Sequence, residues 1–257
     1  MKIALMDSGI GLLPAAATIR RLRPDADLVL SCDPDSMPWG PRTPDDIAAR
    51  ALAVARAAAL HSPDALIVAC NTASVHALRA LRAELEPGIP VIGTVPAIKP
   101  ASAGGGPVAI WATPATTGSP YQRDLIRDFA DSVAVTEVPC TGLADAVQLA
   151  DESAIDAAVA AAAALTPSDV RAVVLGCTHY ELVVDRIRAA VGDAVVLHES
   201  AGAVAAQALR RIGEKPAPDA APSGRLTVLL NGRESPLPEQ ALSYLEGILL
   251  QAVSPAH

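Results

Sequence analysis

The chain has few aromatic side chains and no concentration of positive charge. Aromatic residues make up only 2% of its 257 residues, so the core must be built from small aliphatic side chains. The net charge is −8 and no cluster of Lys and Arg is visible, which argues against nucleic acid as a partner. No apolar run reaches the roughly 20 residues that a transmembrane helix needs, and we expect no secretory signal. We therefore expect no membrane partner.

Cysteine is also scarce. Four cysteines in a chain of this length do not form the framework of a disulfide-rich secreted domain. This composition favours a reduced, cytoplasmic protein with free thiols.

Strand-like and helix-like segments alternate along the chain. Residues 3–6, 28–31 and 66–69 are apolar runs of strand length. Thr43, followed by proline and two aspartates, is typical of a helix start. A Pro-rich linker over 213–222 precedes a predicted strand at 226–230 and a predicted helix over 238–249. This alternation predicts an α/β fold with parallel sheets.

The pattern restarts in the second half. After a glycine-rich break, residues 107–113 resemble residues 2–7, and Cys177 follows an apolar run much as Cys70 does, at a nearly equal offset. We therefore predict two similar parallel-sheet α/β domains that face each other across a cleft. The predicted boundaries give 1–96 plus 210–257 as the first domain and 97–209 as the second.

Cys70 and Cys177 are the strongest candidates for chemistry. Each ends a predicted strand before a helix-like segment, and in open α/β sheets ligands bind at such strand ends. A helix N-terminus lowers a thiol pKa, so each thiol could serve as a base, a nucleophile or a metal ligand. The absence of a close second ligand beside Cys70 disfavours zinc, and we expect no metal. Alternatively, both are small buried apolar residues.

Other polar residues lie at the same predicted strand ends. Asp7 could accept a proton or orient a thiol, although a helix cap is an equal alternative. His179 lies close enough in sequence to Cys177 to relay its proton. Small hydrogen-bonding groups could form a cradle for a carboxylate with helix N-terminal amides. They are Ser8, Asn71, Thr72, Thr178 and, after the second-half strand, Thr116 and Thr117.

Two opposed weak acids around a small carboxylate suit one kind of reaction. One group removes a proton from one face of a carbon, and the other returns a proton to the opposite face. The configuration is inverted and no cofactor is needed.

Several motifs resemble those of the glutamate racemases, in the aspartate/glutamate racemase superfamily. The strong matches are Asp-Ser-Gly-Ile-Gly at 7–11, Met-Pro-Trp-Gly at 37–40, Ala-Cys-Asn-Thr-Ala-Ser at 69–74 and Leu-Gly-Cys-Thr-His-Tyr at 175–180. Residues 113–119 and 231–234 are weaker matches. The resemblance covers essentially the whole chain, and the His after Gly-Cys-Thr is similar to the glutamate branch.

The resemblance implies cofactor-independent proton transfer at the α-carbon of glutamate. Cys70 would act on the D-enantiomer and Cys177 on the L-enantiomer, assisted by Asp7 and His179. It further implies a cytoplasmic homodimer that supplies D-glutamate for peptidoglycan. Implied substrate contacts are Asp7, Ser8, Trp39, Gly40, Asn71, Thr72, Thr178 and His179, with Thr116 and Thr117. The alternatives are an aspartate or broader racemase, and a non-catalytic homologue that binds a carboxylate or regulates a partner.

Some residues depart from the family pattern. Trp39 replaces a tyrosine, Leu12 a glycine and Glu181 a proline. An acidic residue of the second half falls on Gln148, which cannot take up a proton as a carboxylate does. Glu152, four residues on, could substitute if both lay on one helix face. Alternatively, Glu152 is a solvent-exposed helix charge.

Overall fold

The computed structural model describes residues 1–252, which form two compact units. The first unit contains Met1–Thr94 and the chain from Ala201 onward, and the second is Val95–Ser200. The domain boundaries predicted from the sequence, at 96 and 209, remain a prediction, and the last five residues of the predicted first domain lie outside the described residues.

The first unit is built on one sheet whose strand order is β10-β9-β2-β1-β3-β4. The strands are β1 (Lys2–Asp7), β2 (Asp27–Cys32), β3 (Ala65–Val68), β4 (Val91–Gly93), β9 (Leu226–Leu230) and β10 (Arg233–Glu234). The helices are α1 (Leu13–Leu22), α2 (Pro44–Ala59), α3 (Asn71–His76), α4 (Leu78–Leu85), α10 (Ala201–Arg211) and α11 (Leu245–Ala252). All the neighbouring strands are parallel except β9 and β10.

The local sequence explains the boundaries of α2. The Thr43 side chain accepts a hydrogen bond from the Asp46 backbone N–H, and Pro44 occupies the first turn, where no intrahelical N–H bond is lost. Ile47, Ala51 and Val54 recur at helical spacing and pack into the core against the sheet. The predicted helix start at Thr43 is present.

The C-terminal segment completes the first sheet. β9 pairs in parallel with β2, and a tight turn then leads into β10. Asn231 and Gly232 both have positive φ, as a two-residue hairpin turn of this kind requires. The continuous helix predicted over 238–249 is wrong: a 3-10 turn spans Glu239–Ser243, and the extended backbone at Tyr244 separates it from α11.

The second unit is built on a four-stranded parallel sheet of order β6-β5-β7-β8. Its strands are β5 (Val108–Ala112), β6 (Val135–Pro139), β7 (Ala172–Leu175) and β8 (Val196–His198). Its helices are α5 (Ile98–Ala103), α6 (Pro120–Phe129), α7 (Leu143–Leu149), α8 (Glu152–Leu165) and α9 (Val184–Val191).

The two units share one sheet plan. The order β2-β1-β3-β4 in the first unit corresponds strand for strand to β6-β5-β7-β8 in the second. The prediction of two similar parallel-sheet α/β domains is confirmed. In such sheets the order reverses beside the first strand, and ligands bind at the carboxyl ends there. That position lies between β1 and β3 in one unit, and between β5 and β7 in the other.

Aliphatic side chains fill both cores, as the low aromatic content requires. Ala4, Val29 and Leu66 are buried in the first unit, and Ile110 and Val174 in the second. None of the helices within residues 1–252 is long and apolar enough to cross a membrane.

Candidate active site

Asp7 and Cys70 lie together at the carboxyl edge of the first sheet. Asp7 is the last residue of β1, and Cys70 comes just after β3, the parallel neighbour of β1. The Ala69 N–H donates to the Met6 carbonyl at 2.9 Å, so the two strands stay in register up to these side chains. Cys70 also precedes the first residue of α3, as predicted.

Burial determines the protonation of Asp7. The carboxyl group is fully buried, and the loss of solvation raises its pKa to about 7. Hydrogen bonds with the Cys70 side chain and with Ser8 act in the opposite direction and lower the pKa. Asp7 can therefore both take up and release a proton near neutral pH, as a general base or acid requires.

Other polar residues follow Asp7 and Cys70 in the chain. Ser8 is buried and its backbone N–H donates to Asp7 Oδ1 at 2.7 Å. Asn71 is also buried, and neither its amide oxygen nor its amide nitrogen has a hydrogen-bond partner among the described residues. Such unpaired groups are costly unless a ligand satisfies them. Thr72 follows Asn71 in α3 and is partly buried.

Trp39 belongs to the apolar surroundings of Cys70. Both residues lie in one hydrophobic cluster with Ile47 and Ala73, and the indole Nε1 is buried without a partner among residues 1–252. Gly40, the next residue, is partly buried. Trp39 therefore has an apolar packing role as well as an unpaired donor.

Cys177 occupies the equivalent position in the second unit. It follows β7, and the preceding Gly176 donates its N–H to the Trp111 carbonyl of the neighbouring strand β5 at 2.7 Å. A Cβ atom at Gly176 would lie 2.8 Å from the Trp111 carbonyl oxygen. Glycine is thus required for the chain to approach β5 this closely.

His179 connects Cys177 to a helix. Its Nδ1 lies 3.9 Å from Cys177 Sγ, and its Nε2 lies 3.1 Å from Oε1 of Gln148 in α7. The ring is buried, and the loss of solvation lowers its pKa to about 4. His179 is therefore neutral at pH 7 and can accept a proton at one nitrogen.

Threonines occupy the loop that follows β5. Thr116 is buried and its hydroxyl lies 3.2 Å from that of Thr113, while the Thr117 hydroxyl donates to the Thr113 carbonyl. Thr178 is buried beside Cys177. These predicted binding residues lie at the carboxyl ends of neighbouring strands, β5 and β7.

Sequence reasoning missed Gln122. This residue lies in the first turn of α6, is 2% exposed, and has no hydrogen-bond partner for either polar side-chain atom within residues 1–252. No sequence signal marks it, because glutamine is common in the first turn of a helix. Its burial is visible only in the structure.

Glu152 does not replace the missing acid. Gln148 lies in α7 whereas Glu152 begins α8, so the two residues do not share a helix face. Glu152 is 64% exposed and forms an ion pair with Arg186. The alternative interpretation, a solvent-exposed helix charge, is correct.

The surroundings of the other two cysteines, Cys32 and Cys140, indicate a structural role. Cys32 Sγ donates to the Gly9 carbonyl at 3.2 Å, and burial raises its pKa well above the usual value. Burial also raises the pKa of Cys140 to about 12. Across residues 1–252, no three acidic, His or Cys side chains are grouped so as to hold a metal ion.

Each unit holds a candidate half-site of the same plan, with a thiol beside a carboxyl or an imidazole, and this arrangement suits proton transfer. Residues 14–208 match the family model Asp/Glu/Hydantoin racemase, and the chain belongs to that family. The prediction of a racemase is thereby confirmed.

The curated relatives of the chain include glutamate racemases. It is 38% identical over 223 residues to the one from Roseiflexus sp., covering 83% of this chain and 80% of that protein. It is 39% identical over 209 residues to the enzyme from Vibrio campbellii, covering 79% and 77%. These matches confirm the resemblance to glutamate racemases.

Solved structures give the same result. The chain is similar to Escherichia coli glutamate racemase in complex with L-glutamate and the activator UDP-MurNAc-ala, with a TM-score of 0.83 and 26% identity. This match covers 98% of this chain and 95% of that one. A glutamate racemase isoform from Bacillus anthracis has a TM-score of 0.72 and 27% identity, covering 89% and 87%.

Proposed function

We propose that this protein interconverts L- and D-glutamate by proton transfer at the α-carbon, with Cys70 and Cys177 as the two bases. The observation that carries the proposal is the equivalent placement of the two thiols. Each follows the strand that comes third in its unit in chain order, β3 or β7. Each thiol has a different proton acceptor beside it, Asp7 or His179. The curated and structural relatives named above are glutamate racemases.

The proposed reaction of L-glutamate begins at Cys177. Its thiolate takes the α-proton, and the electron pair stays on the α-carbon. The Cys70 thiol donates a proton to the opposite face, which gives D-glutamate and leaves a thiolate at Cys70. The reverse reaction starts from Cys70.

Asp7 and His179 serve the thiols in this scheme. Asp7, with a pKa of about 7, replaces the proton that Cys70 donates and takes it back in the other direction. His179, neutral at pH 7, takes the proton of the Cys177 thiol before the reaction of L-glutamate begins. Both assisting groups are buried, so in this scheme they exchange protons with water only between turnovers.

The proposed carboxylate-binding groups are buried or partly buried polar residues at the same strand ends. The Asn71 amide atoms, which have no hydrogen-bond partner within residues 1–252, supply a donor and an acceptor for the substrate. The remaining groups are Ser8, Trp39, Gly40, Thr72, Thr116, Thr117 and Thr178. We further propose that the protein is a cytoplasmic homodimer whose D-glutamate supplies peptidoglycan synthesis.

Deuterium exchange tests the reaction and the substrate together. L-Glutamate, D-glutamate, L-aspartate and D-aspartate are each incubated with the protein in heavy water, and the α-deuterium and the enantiomer ratio are measured. We expect both glutamate enantiomers to gain α-deuterium and to approach an equal mixture. Exchange of aspartate without exchange of glutamate would refute glutamate as the substrate, and no exchange of either would refute a racemase for acidic amino acids.

A further inference from the structure

The two ring nitrogens of His179 contact different residues. Nε2 lies 3.1 Å from Gln148 Oε1, and Nδ1 lies 3.9 Å from Cys177 Sγ. An amide oxygen can only accept a hydrogen bond, so Nε2 carries the hydrogen. In a neutral imidazole the other nitrogen then has a free lone pair, and that nitrogen is the one on the side of the thiol.

We propose that Gln148 is a positioning residue that holds His179 in its Nε2–H tautomer and thereby directs the Nδ1 lone pair at the Cys177 thiol. The inference rests on the proposed function, because it assigns His179 as the acceptor of the Cys177 proton. Gln148 itself transfers no proton, and its amide oxygen contacts the ring.

The proton steps balance in this arrangement. The Cys177 S–H bond breaks, its proton forms a bond to Nδ1, and the sulfur keeps the electron pair as a thiolate. The imidazolium then has a proton on each nitrogen, and Nε2–H still donates to Gln148. After the thiolate takes the α-proton of L-glutamate, Nδ1 releases its proton to water, and the neutral tautomer is restored. Asp7 takes up one proton from water in the same turnover, to replace the one it gave to Cys70, so the protons balance.

An amide and a carboxylate at this position have different consequences. Both accept from Nε2–H, so both select the same tautomer. Only a carboxylate adds a negative charge that stabilises the imidazolium and raises its pKa. The glutamine therefore orients the ring and leaves it neutral, in agreement with the low pKa of His179.

Cys177 and Tyr180 are ionisable residues close to His179 in the chain, and burial raises the pKa of Tyr180 well above its usual value. Asp145 of α7 is exposed and acts on Tyr180. The orientation of the Gln148 amide thus decides the tautomer, since a reversed amide would donate to Nε2 and leave the hydrogen on Nδ1.

Nitrogen-15 NMR of the intact protein measures the tautomer directly. Histidine is labelled at both ring nitrogens, and the His179 signals are assigned by their absence in His179→Gln. We expect the wild-type protein at pH 7 to show a protonated Nε2 and an unprotonated Nδ1. In Gln148→Met, which has similar size and no amide, we expect the Nδ1–H form to appear. A hydrogen on Nδ1 in the wild type, or an unchanged tautomer in Gln148→Met, would refute the role of Gln148.

Gln148→Glu provides the conservative replacement. It keeps the acceptor, so Nε2 should stay protonated, and the added charge should make Nδ1 titrate at a higher pH than in the wild type. A folded Gln148→Glu protein with its hydrogen on Nδ1 would contradict the proposal. Glu152→Gln is the matched control, because it changes a nearby exposed side chain and should leave the His179 signals unchanged.

Kinetics with L-glutamate tests the consequence for the reaction. Loss of one orienting hydrogen bond in Gln148→Met should lower kcat about tenfold, with a smaller change in KM. Gln148→Glu should recover most of this loss, and Glu152→Gln should match the wild type. A change in KM alone would contradict a positioning role.

The two proposals fail in different ways. A wild-type protein with Nε2–H but no exchange of glutamate would refute the substrate and leave the tautomer assignment intact. A protein that racemises glutamate with Nδ1–H on His179 would refute the role of Gln148 and leave the proposed function intact.

Discussion

Asp7 ends β1 and Cys70 follows the end of β3, its parallel neighbour, so the carboxyl that titrates near pH 7 lies within hydrogen-bonding reach of the thiol. The pair depends on the register of β1 and β3, in which Met6 is opposite Val68. His179 holds the corresponding place beside Cys177 in the second unit. The two units therefore share one strand order and each places a thiol at the same position, but the proton acceptor beside the thiol is a carboxyl in one unit and an imidazole in the other.

Replacement of either thiol tests the two-base reaction. We expect Cys70→Ser and Cys177→Ser each to lower racemisation about 10²–10⁴-fold, because a hydroxyl is a far weaker acid than a thiol and general acid–base catalysis contributes that much. Each variant should retain exchange mainly with one enantiomer. Cys140→Ser is the matched control, since Cys140 is buried in the second unit outside the half-site. Equal residual exchange of both enantiomers would contradict the scheme.

The raised pKa of Asp7 predicts a pH-dependent cost in stability. The pKa rises from 3.8 to about 7 on folding, so between those values the folded state binds a proton that the unfolded state has lost. Stability should fall as the pH rises through this window, by at most about 4 kcal/mol. Asp7→Asn should lack this dependence and should also lack activity. Urea unfolding at pH 5 and pH 8 measures the effect, and an identical pH dependence in both proteins would contradict it.

Gly176→Ala tests the close approach that positions Cys177. The added Cβ would lie 2.8 Å from the Trp111 carbonyl oxygen and 3.2 Å from Ala112 Cβ, so β7 must shift. We expect a loss of about 1–3 kcal/mol in the free energy of unfolding and a large loss of kcat. Gly202→Ala in α10 is the control, because its Cβ would meet no atom within 4 Å. Wild-type stability and activity in Gly176→Ala would show that the approach is unimportant.

Arg20 should stabilise the first unit without taking part in the chemistry. It is 2% exposed, and its guanidinium donates to the carbonyls of Pro24, Ala26 and Arg225. Arg20→Met would remove all three hydrogen bonds, although the Pro24 and Arg225 carbonyls still accept from the backbone N–H groups of Gly224 and Leu28. We expect a loss of about 2–4 kcal/mol in the free energy of unfolding with little change in kcat. Chemical denaturation measures this loss in the free energy of unfolding. Arg21→Ala, at an exposed neighbour, should cost less than about 0.5 kcal/mol.

Local signals were sufficient to predict much of the fold. The strand at 28–31 and the helix after Thr43 have apolar spacing and a cap that depend only on nearby residues. The helix predicted over 238–249 failed because the chain turns back on itself. Gly247 packs against the Ala241 backbone so closely that a Cβ would lie 2.0 Å from the Ala241 carbonyl oxygen, a contact that apolar spacing does not reveal.

Local sequence signals also predicted part of the candidate site. Asp7, Cys70 and Cys177 directly follow or end apolar runs, so their positions come from local pattern. The bond between Gln148 and His179 was not predictable, because it depends on where α7 lies. That helix is bounded by left-handed residues, Gly142 and Ala150, and alanine carries no sequence signal for such a conformation.

The unlike partners of the two thiols have a thermodynamic consequence for the proposed reaction. Mirror-image forms of one amino acid have equal free energy in water, so at equilibrium they are equally populated. The ratio kcat/KM must then be the same whichever enantiomer the enzyme starts from. The difference between the carboxyl beside one thiol and the imidazole beside the other therefore cannot favour either product at equilibrium. It can change only the separate values of kcat and KM for the two enantiomers, whose ratio stays the same.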